Sequence, residues 1–203
     1  MPVGSQHDSG NIELDPNLLL ETFRVQTNWH VITGASCSGK TTLINQLSLK
    51  GFQTVPEAGR QYFEREIARG RTIEEVRKDR ASFTHHIYDL MKTQEYGLRA
   101  ADIIFLDRGI PDALAFFRYA GLDPNQILSD CFLHRYASVF LLDRLPYQKD
   151  GVRTAEDAIA ADFELGMLRD YSALGYDVVR VPVLPPEERL AFVLNKLSEQ
   201  RLI

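Results

Sequence analysis

The sequence predicts an α/β fold in which a parallel sheet lies between two helical layers. Three observations carry that expectation. Short, continuously apolar runs recur along the chain, and longer stretches of helical spacing separate them. A glycine-bearing stretch joins the first such run to the helical stretch after it. Strands that alternate apolar and polar residues suit a sheet with one wet face, whereas unbroken apolar strands suit a sheet covered on both.

Residues 1–11, "MPVGSQHDSGN", are small and polar without periodicity and read as a tail. Residues 12–28 carry no chemical motif and read as a cover over the sheet or an extra edge element. The strand candidates are 29–33, 52–55, 102–106, 138–142 and 177–181. Between the second and third, Val76, Arg80, Phe83, Ile87, Leu90 and Gln94 recur mostly at steps of three or four, which predicts a helix. No repeat, low-complexity tract or change of composition interrupts residues 29–203, so they read as one domain.

Composition narrows the function classes. The net charge of -5 argues against a general nucleic-acid backbone binder. Two cysteines, Cys37 and Cys131, make no disulfide framework and suit a reducing compartment. No basic-then-apolar leader and no membrane-length apolar run is present, so a cytoplasmic location is expected.

The stretch "HVITGASCSGKTTLINQL" carries the strongest chemistry. Gly34, Gly39, Lys40 and Thr41 fit the spacing of a phosphate-binding loop, with Ala35, Ser36, Cys37 and Ser38 between them and Thr42 after. The two glycines allow close backbone approach, and successive N–H groups at a helix N-terminus make an anion nest. Lys40 is expected to reach the β- and γ-phosphates, and the Thr41 hydroxyl to ligate Mg²⁺. ATP is the expected nucleotide, with GTP left open. Cys37, at a variable position of the loop, reads as a small filler.

A second carboxylate belongs with this loop. In "ADIIFLDRGIPDAL" an apolar strand ends in Asp107, at the sheet edge where open parallel sheets bind ligands. Asp107 is therefore the candidate second holder of Mg²⁺. Arg108 beside it reads as a phosphate or substrate contact. Asp112 reads equally as a substrate residue or as an acid favouring the helix start after Pro111.

Two features favour a kinase over a plain ATPase. Glu57 follows the second strand, and Glu57, Arg60 and Glu64 share a helix face by spacing, so Glu57 could accept a hydroxyl proton while Arg60 binds substrate. After the fourth strand, Arg144, Lys149 and Arg153 form a cationic segment, with Thr154 and Asp157 in a capping-box-like arrangement. A lid at about 144–155 is expected from it.

The combination "VITGASCSGKTTLI", "VPEAGRQYF", "FLDRGIPDALAF", "VFLLDRLPYQKDGVR" and "GYDVVRVPVLPPEERLAFVL" resembles the AAA-like P-loop ATPase/kinase domain family across about residues 29–197. That family includes a ribosylnicotinamide kinase domain and is similar in fold to nucleoside and nucleotide kinases. The resemblance implies a three-layer P-loop NTPase fold with a five-stranded sheet of order 2-3-1-4-5. It also implies that Glu57 meets the substrate, that Asp107-Arg108 is the kinases' Asp-Arg pair, and that Arg144 and Arg153 are lid arginines. The sensor and arginine-finger segments of ring-forming AAA+ machines are not evident in the chain.

The favoured reading is a kinase that transfers the ATP γ-phosphoryl to a hydroxyl of a small metabolite, nucleoside-like or similar. The alternative is a regulatory NTP-binding switch read by a protein partner. A nucleic-acid-linked ATPase has least support, because no aromatic-basic stripe is present.

Overall fold

Residues 12–145 and 155–202 are described by a computed structural model. Seven strands occur among them: β1 Val25–Gln26, β2 Trp29–Thr33, β3 Gln53–Val55, β4 Ile104–Asp107, β5 His134–Arg135, β6 Ser138–Leu142 and β7 Val178–Val181. Seven α-helices accompany them: α1 Lys40–Leu49, α2 Ala58–Ala68, α3 Ile73–Arg77, α4 Arg80–Tyr96, α5 Asp112–Tyr119, α6 Ala155–Ala173 and α7 Pro186–Glu199.

The main sheet is fully parallel, in the order β3-β4-β2-β6-β7. Counted over its own five strands, that order reads 2-3-1-4-5. The connections diverge on either side of β2, so its carboxyl end is a switch point where such sheets open a crevice. Ile32 pairs in register with Asp107, which brings the tip of β4 level with the last residues before Gly34.

The central strands β2, β4 and β6, buried along their whole length, divide their side chains between two cores at a period of two. On one face Ile32, Phe105 and Phe140 pack with Leu43 and Leu47 of α1 and Val193 of α7. On the other, Val31, Leu106 and Val139 pack with Met91 of α4 and Leu114 and Phe117 of α5. Full burial of one such side chain contributes about 1.5–3 kcal/mol. This two-sided burial is why the strands read as unbroken apolar runs.

The helical stretch expected through Val76 to Gln94 is broken. Val76 lies in α3, and the Asp79 carboxylate accepts the Ser82 N–H at 3.0 Å to begin α4 at Arg80. An aspartate that caps a new helix ends the old register, a signal that apolar spacing alone does not register.

Residues 12–28 form an extra segment beside the main sheet rather than an edge strand of it. Leu14, Leu18, Leu19 and Phe23 pack on the core, and β1 pairs in parallel with β5 as a separate ladder. The buried Arg118 guanidinium holds this region to α6: it donates to the Asp170 carboxylate at 2.5 and 3.0 Å and to the Ile12 carbonyl at 2.7 Å. Neither Cys37 nor Cys131 is in a disulfide. No described helix is long and apolar enough to cross a membrane.

Candidate active site

The loop from Gly34 to Gly39 turns sharply between β2 and α1. Gly34 sits at φ 140°, and a β-carbon there would come within 2.8 Å of the Leu142 carbonyl oxygen. Cys37 (φ 60°) and Gly39 (φ 89°) are both left-handed, the alternation that turns successive N–H groups into a concave nest. Gly39 also starts α1 without a side-chain cap, so the first N–H groups of that helix face the loop unclaimed by a capping residue. The Lys40 ammonium donates to the Ala35 carbonyl at 2.8 Å and the Ser38 hydroxyl at 3.4 Å. Burial, reinforced by Arg108, lowers its pKa to about 8 against the opposing pull of Asp107, Glu57 and Asp112.

Arg189 braces this loop from behind. It is buried in α7 and donates to the backbone carbonyls of Ser38, of Pro182 at 3.0 Å and of Asp143 at 3.0 Å. One guanidinium therefore joins the phosphate loop, the exit of β7 and the exit of β6.

At the tip of β4, Asp107 is buried, and burial raises its pKa to about 6 despite the nearby Arg108 and Lys40 charges. Its Oδ1 is buried and has no hydrogen-bond partner among the described residues. A buried carboxylate oxygen left over in this way fits a cation, and the half-buried Thr41 hydroxyl is the second oxygen expected there. No cluster of three or more histidine, cysteine or carboxylate side chains could hold a metal ion among the described residues. A carboxylate and a hydroxyl are oxygen donors, which suit a hard ion that completes its shell with phosphate oxygens and water, as Mg²⁺ does.

The next residue, Arg108, holds φ at 82°, a strained value for a residue with a side chain that costs about 1–3 kcal/mol. Its buried guanidinium bridges two carboxylates, donating to Glu57 at 3.1 Å and to Asp112 at 3.0 Å. Burial alone would lower its pKa, but Asp112, Glu57 and Asp107 outweigh it and hold the cation firmly protonated. Glu57 is the residue before α2. Burial pushes its pKa up, yet Arg108 and Lys40 pull harder and keep it below the usual carboxylate range.

Of its two readings, substrate residue or acid at the helix start, Asp112 occupies the position of the second, as the first residue of α5. It is fully buried, and its oxygens accept from Thr33 Oγ1, from Arg108, from the Gly109 N–H at 3.0 Å and from the Tyr171 hydroxyl at 2.7 Å. With these donors it anchors Arg108 instead of facing a cavity.

Two cavities meet at Arg108. One, of about 430 Å³, lies among α2, α3, α4 and α5, with Glu57 and Arg60 on its wall and Phe63, Phe83 and Phe116 around it. The other, of about 560 Å³, is bordered by Ala35, Ser36 and Cys37 of the phosphate loop and by Arg144. Arg77, Arg80, Phe83, Arg108, Phe116 and Tyr119 line both. The first is of a size that encloses a small metabolite.

The structure thus brings Lys40, Glu57, Asp107 and Arg108 within electrostatic reach of one another, with Gly34, Ser38 and Gly39 on the loop around Lys40, and sets Arg60 and Arg144 at the cavity walls; Thr41 follows Lys40 in the first turn of α1. Ser36, Cys37 and Thr42 are exposed on the loop and the start of α1. Arg153, Lys149 and Thr154, and with them most of the expected lid, lie outside the described residues. Sequence reading missed Arg189, although an arginine beside Leu190 on the apolar face completed by Val193 and Leu197 is a visible anomaly. It also missed Thr33 and Tyr171, which no local pattern distinguishes from core residues.

No curated protein sequence matches the chain. Among solved structures, deoxyadenosine kinase from M. mycoides aligns at 17% identity over 84% of this chain and 98% of its own, with a TM-score of 0.57. Shikimate kinase from Aquifex aeolicus aligns at 19% over 86% of this chain and 98% of its own, with a TM-score of 0.51. NadR protein in complex with NR aligns at 21% over 85% of this chain, with a TM-score of 0.60, and this chain spans 51% of that one. At such identities the likeness is one of fold. The model of the AAA domain matches residues 29–189, and with the phosphate loop, the Asp107 tip and the sheet order all inside that span, the chain belongs to this family and has the fold of P-loop kinases.

Proposed function

We propose that the chain is a small-molecule kinase that transfers the γ-phosphoryl group of ATP to a hydroxyl of a metabolite held in the cavity beside Glu57. The observation that carries this reading is the Arg108 bridge: it fixes an ionised carboxylate, Glu57, on the wall of a cavity that adjoins the phosphate loop. A nucleotide switch has no need of that second cavity or of a carboxylate in it.

In this reading the loop from Gly34 to Thr42 binds the nucleotide phosphates through its N–H groups and Lys40. Thr41 and Asp107 would hold Mg²⁺, which when bound neutralises charge on the β- and γ-phosphate oxygens. Glu57 accepts the hydrogen bond of the acceptor hydroxyl and so points its oxygen at the γ-phosphorus. The new P–O bond forms as the bond to the β–γ bridging oxygen breaks; ADP leaves with that electron pair, and the hydroxyl proton passes through Glu57 to water. A carboxylate held below the usual range is a weak base. That suffices, because a loose phosphoryl-transfer transition state demands positioning more than early proton removal. Arg108, fixed by Asp112, supplies positive charge between the two cavities, and Arg144 and Arg153 would add to it from the lid.

The test is ADP release from MgATP with and without a protein-free pool of cellular metabolites, using Lys40→Ala as the blank. Stimulation by the pool that is absent in Lys40→Ala is the expected result. Slow turnover that no fraction of the pool stimulates would overturn the kinase reading in favour of a switch that acts on a protein partner.

A further inference from the structure

The cavity beside Glu57 carries more positive charge than a site for a neutral acceptor requires. Four arginines line it, Arg60, Arg77, Arg80 and Arg108, against two glutamates, Glu57 and Glu64. Arg108 is already matched, by Glu57 and Asp112. The other three are exposed at the cavity rim and form no ion pair with any described carboxylate, so water is the partner a ligand anion would replace. In a chain of net charge -5 this excess is local and not the background.

Two of these guanidiniums are held in place by groups that do not neutralise them. Arg77 lies over the Phe63 ring at 5.0 Å, and Arg80 lies over the Tyr119 ring at 4.4 Å while donating to the Tyr119 carbonyl at 3.3 Å. Cation–π contact orients a guanidinium and leaves its N–H edge free for a second partner. Arg77 and Arg80 also border the cavity on the phosphate-loop side, so a group they hold would lie between the two sites. The remaining wall is mainly apolar, and Phe63, Phe83, Phe116 and Tyr119 supply aromatic faces to it.

We infer that the acceptor is an anionic ring compound. Arg77 and Arg80 take its negative group, a phosphate monoester or a carboxylate, through paired N–H donors, and the aromatic wall takes its ring. The inference rests on the kinase reading only in naming this ligand as the acceptor; the anion site itself stands or falls separately.

The experiment measures binding to the full chain with the phosphate loop filled by saturating MgADP, by thermal shift and calorimetry. The probes are two matched pairs: uridine monophosphate against uridine, and hydroxybenzoate against hydroxybenzyl alcohol. A charged member should bind at least about ten-fold more tightly than its neutral partner, a difference of about 1.4 kcal/mol. Which pair shows the difference separates a phosphate ligand from a carboxylate. The R77M/R80M variant, which keeps the side-chain stems, should lose the preference, and R77K/R80K should keep most of it. Binding of neither charged probe, equal binding within both pairs, or a preference that survives in R77M/R80M would each overturn the inference. Charged probes that bind without stimulating ADP release from MgATP, when the metabolite pool does not stimulate it either, would retain the anion site and remove the kinase. A neutral compound that is phosphorylated, with no preference for the charged member in either pair, would do the reverse.

Discussion

Replacing Arg189 with methionine isolates the brace behind the phosphate loop. The methionine fills much of the same volume but removes the donors to the carbonyls of Ser38, Asp143 and Pro182. Ser38 is fully buried, and losing a charged donor there costs about 1–3 kcal/mol. The carbonyls of Asp143 and Pro182 lie at strand exits, where water replaces the donor in part, adding about 0.5–1 kcal/mol each. Release of the buried charge offsets some of this, which leaves about 2–4 kcal/mol. Urea unfolding followed by the fluorescence of Trp29, the single tryptophan and fully buried, reads that loss directly. The freed Ser38 also loosens the nest, so affinity for MgADP measured on the folded protein should fall about ten-fold, or 1.4 kcal/mol. Arg189→Lys, whose single ammonium cannot span three carbonyls, should recover only part of both. A variant with wild-type midpoint and affinity would refute the reasoning. Lost stability with unchanged affinity would reduce Arg189 to a packing residue.

Three further outcomes are expected. Glu57→Gln should lower phosphoryl transfer on the order of 10²-fold while leaving MgATP affinity within about three-fold; parallel loss of both would make Glu57 part of the nucleotide site. Asp112→Asn removes the fully buried partner of Arg108 and should destabilise the fold by about 3 kcal/mol, read as a drop in the urea midpoint at constant slope. A pH effect comes from His30, which is fully buried, bonds Ser138 Oγ at 2.8 Å through Nδ1 and leaves Nε2 without a partner among the described residues. Burial depresses its pKa from 6.5 to about 4. The unfolded chain therefore takes up a proton that the native state refuses, and stability present above pH 6.5 falls as pH drops toward 4, by up to about 3 kcal/mol. His30→Asn, which can still reach Ser138, should show a correspondingly smaller fall in urea midpoint between neutral and acid pH; an equal fall would place the effect elsewhere.

Local pattern carried what local physics controls. The phosphate loop is contiguous, its glycines and lysine answer to a nest that six or seven residues build by themselves, and so it was legible without a fold. Asp107 was legible for a related reason: an apolar run that ends in a carboxylate marks a strand tip, and strand tips of parallel sheets share one edge. The break at Asp79 escaped because apolar spacing continues across two helices, while the capping bond that separates them depends on one side chain.

The sequence by itself determined the sheet class, the nucleotide-binding loop and the residues at the strand tips, since each depends on neighbours a few positions away. Only the tertiary structure decided how those residues act on one another. Arg108 and Asp112 are near in sequence, but Glu57 is 51 positions away and Tyr171 is 59 from Asp112, so their shared ion-pair network exists only once the layers pack. Arg189 reaches Ser38 across 151 positions. The cavity wall likewise draws on four helices, and its unmatched arginines became visible only when packing revealed which of the chain's many charges had found partners.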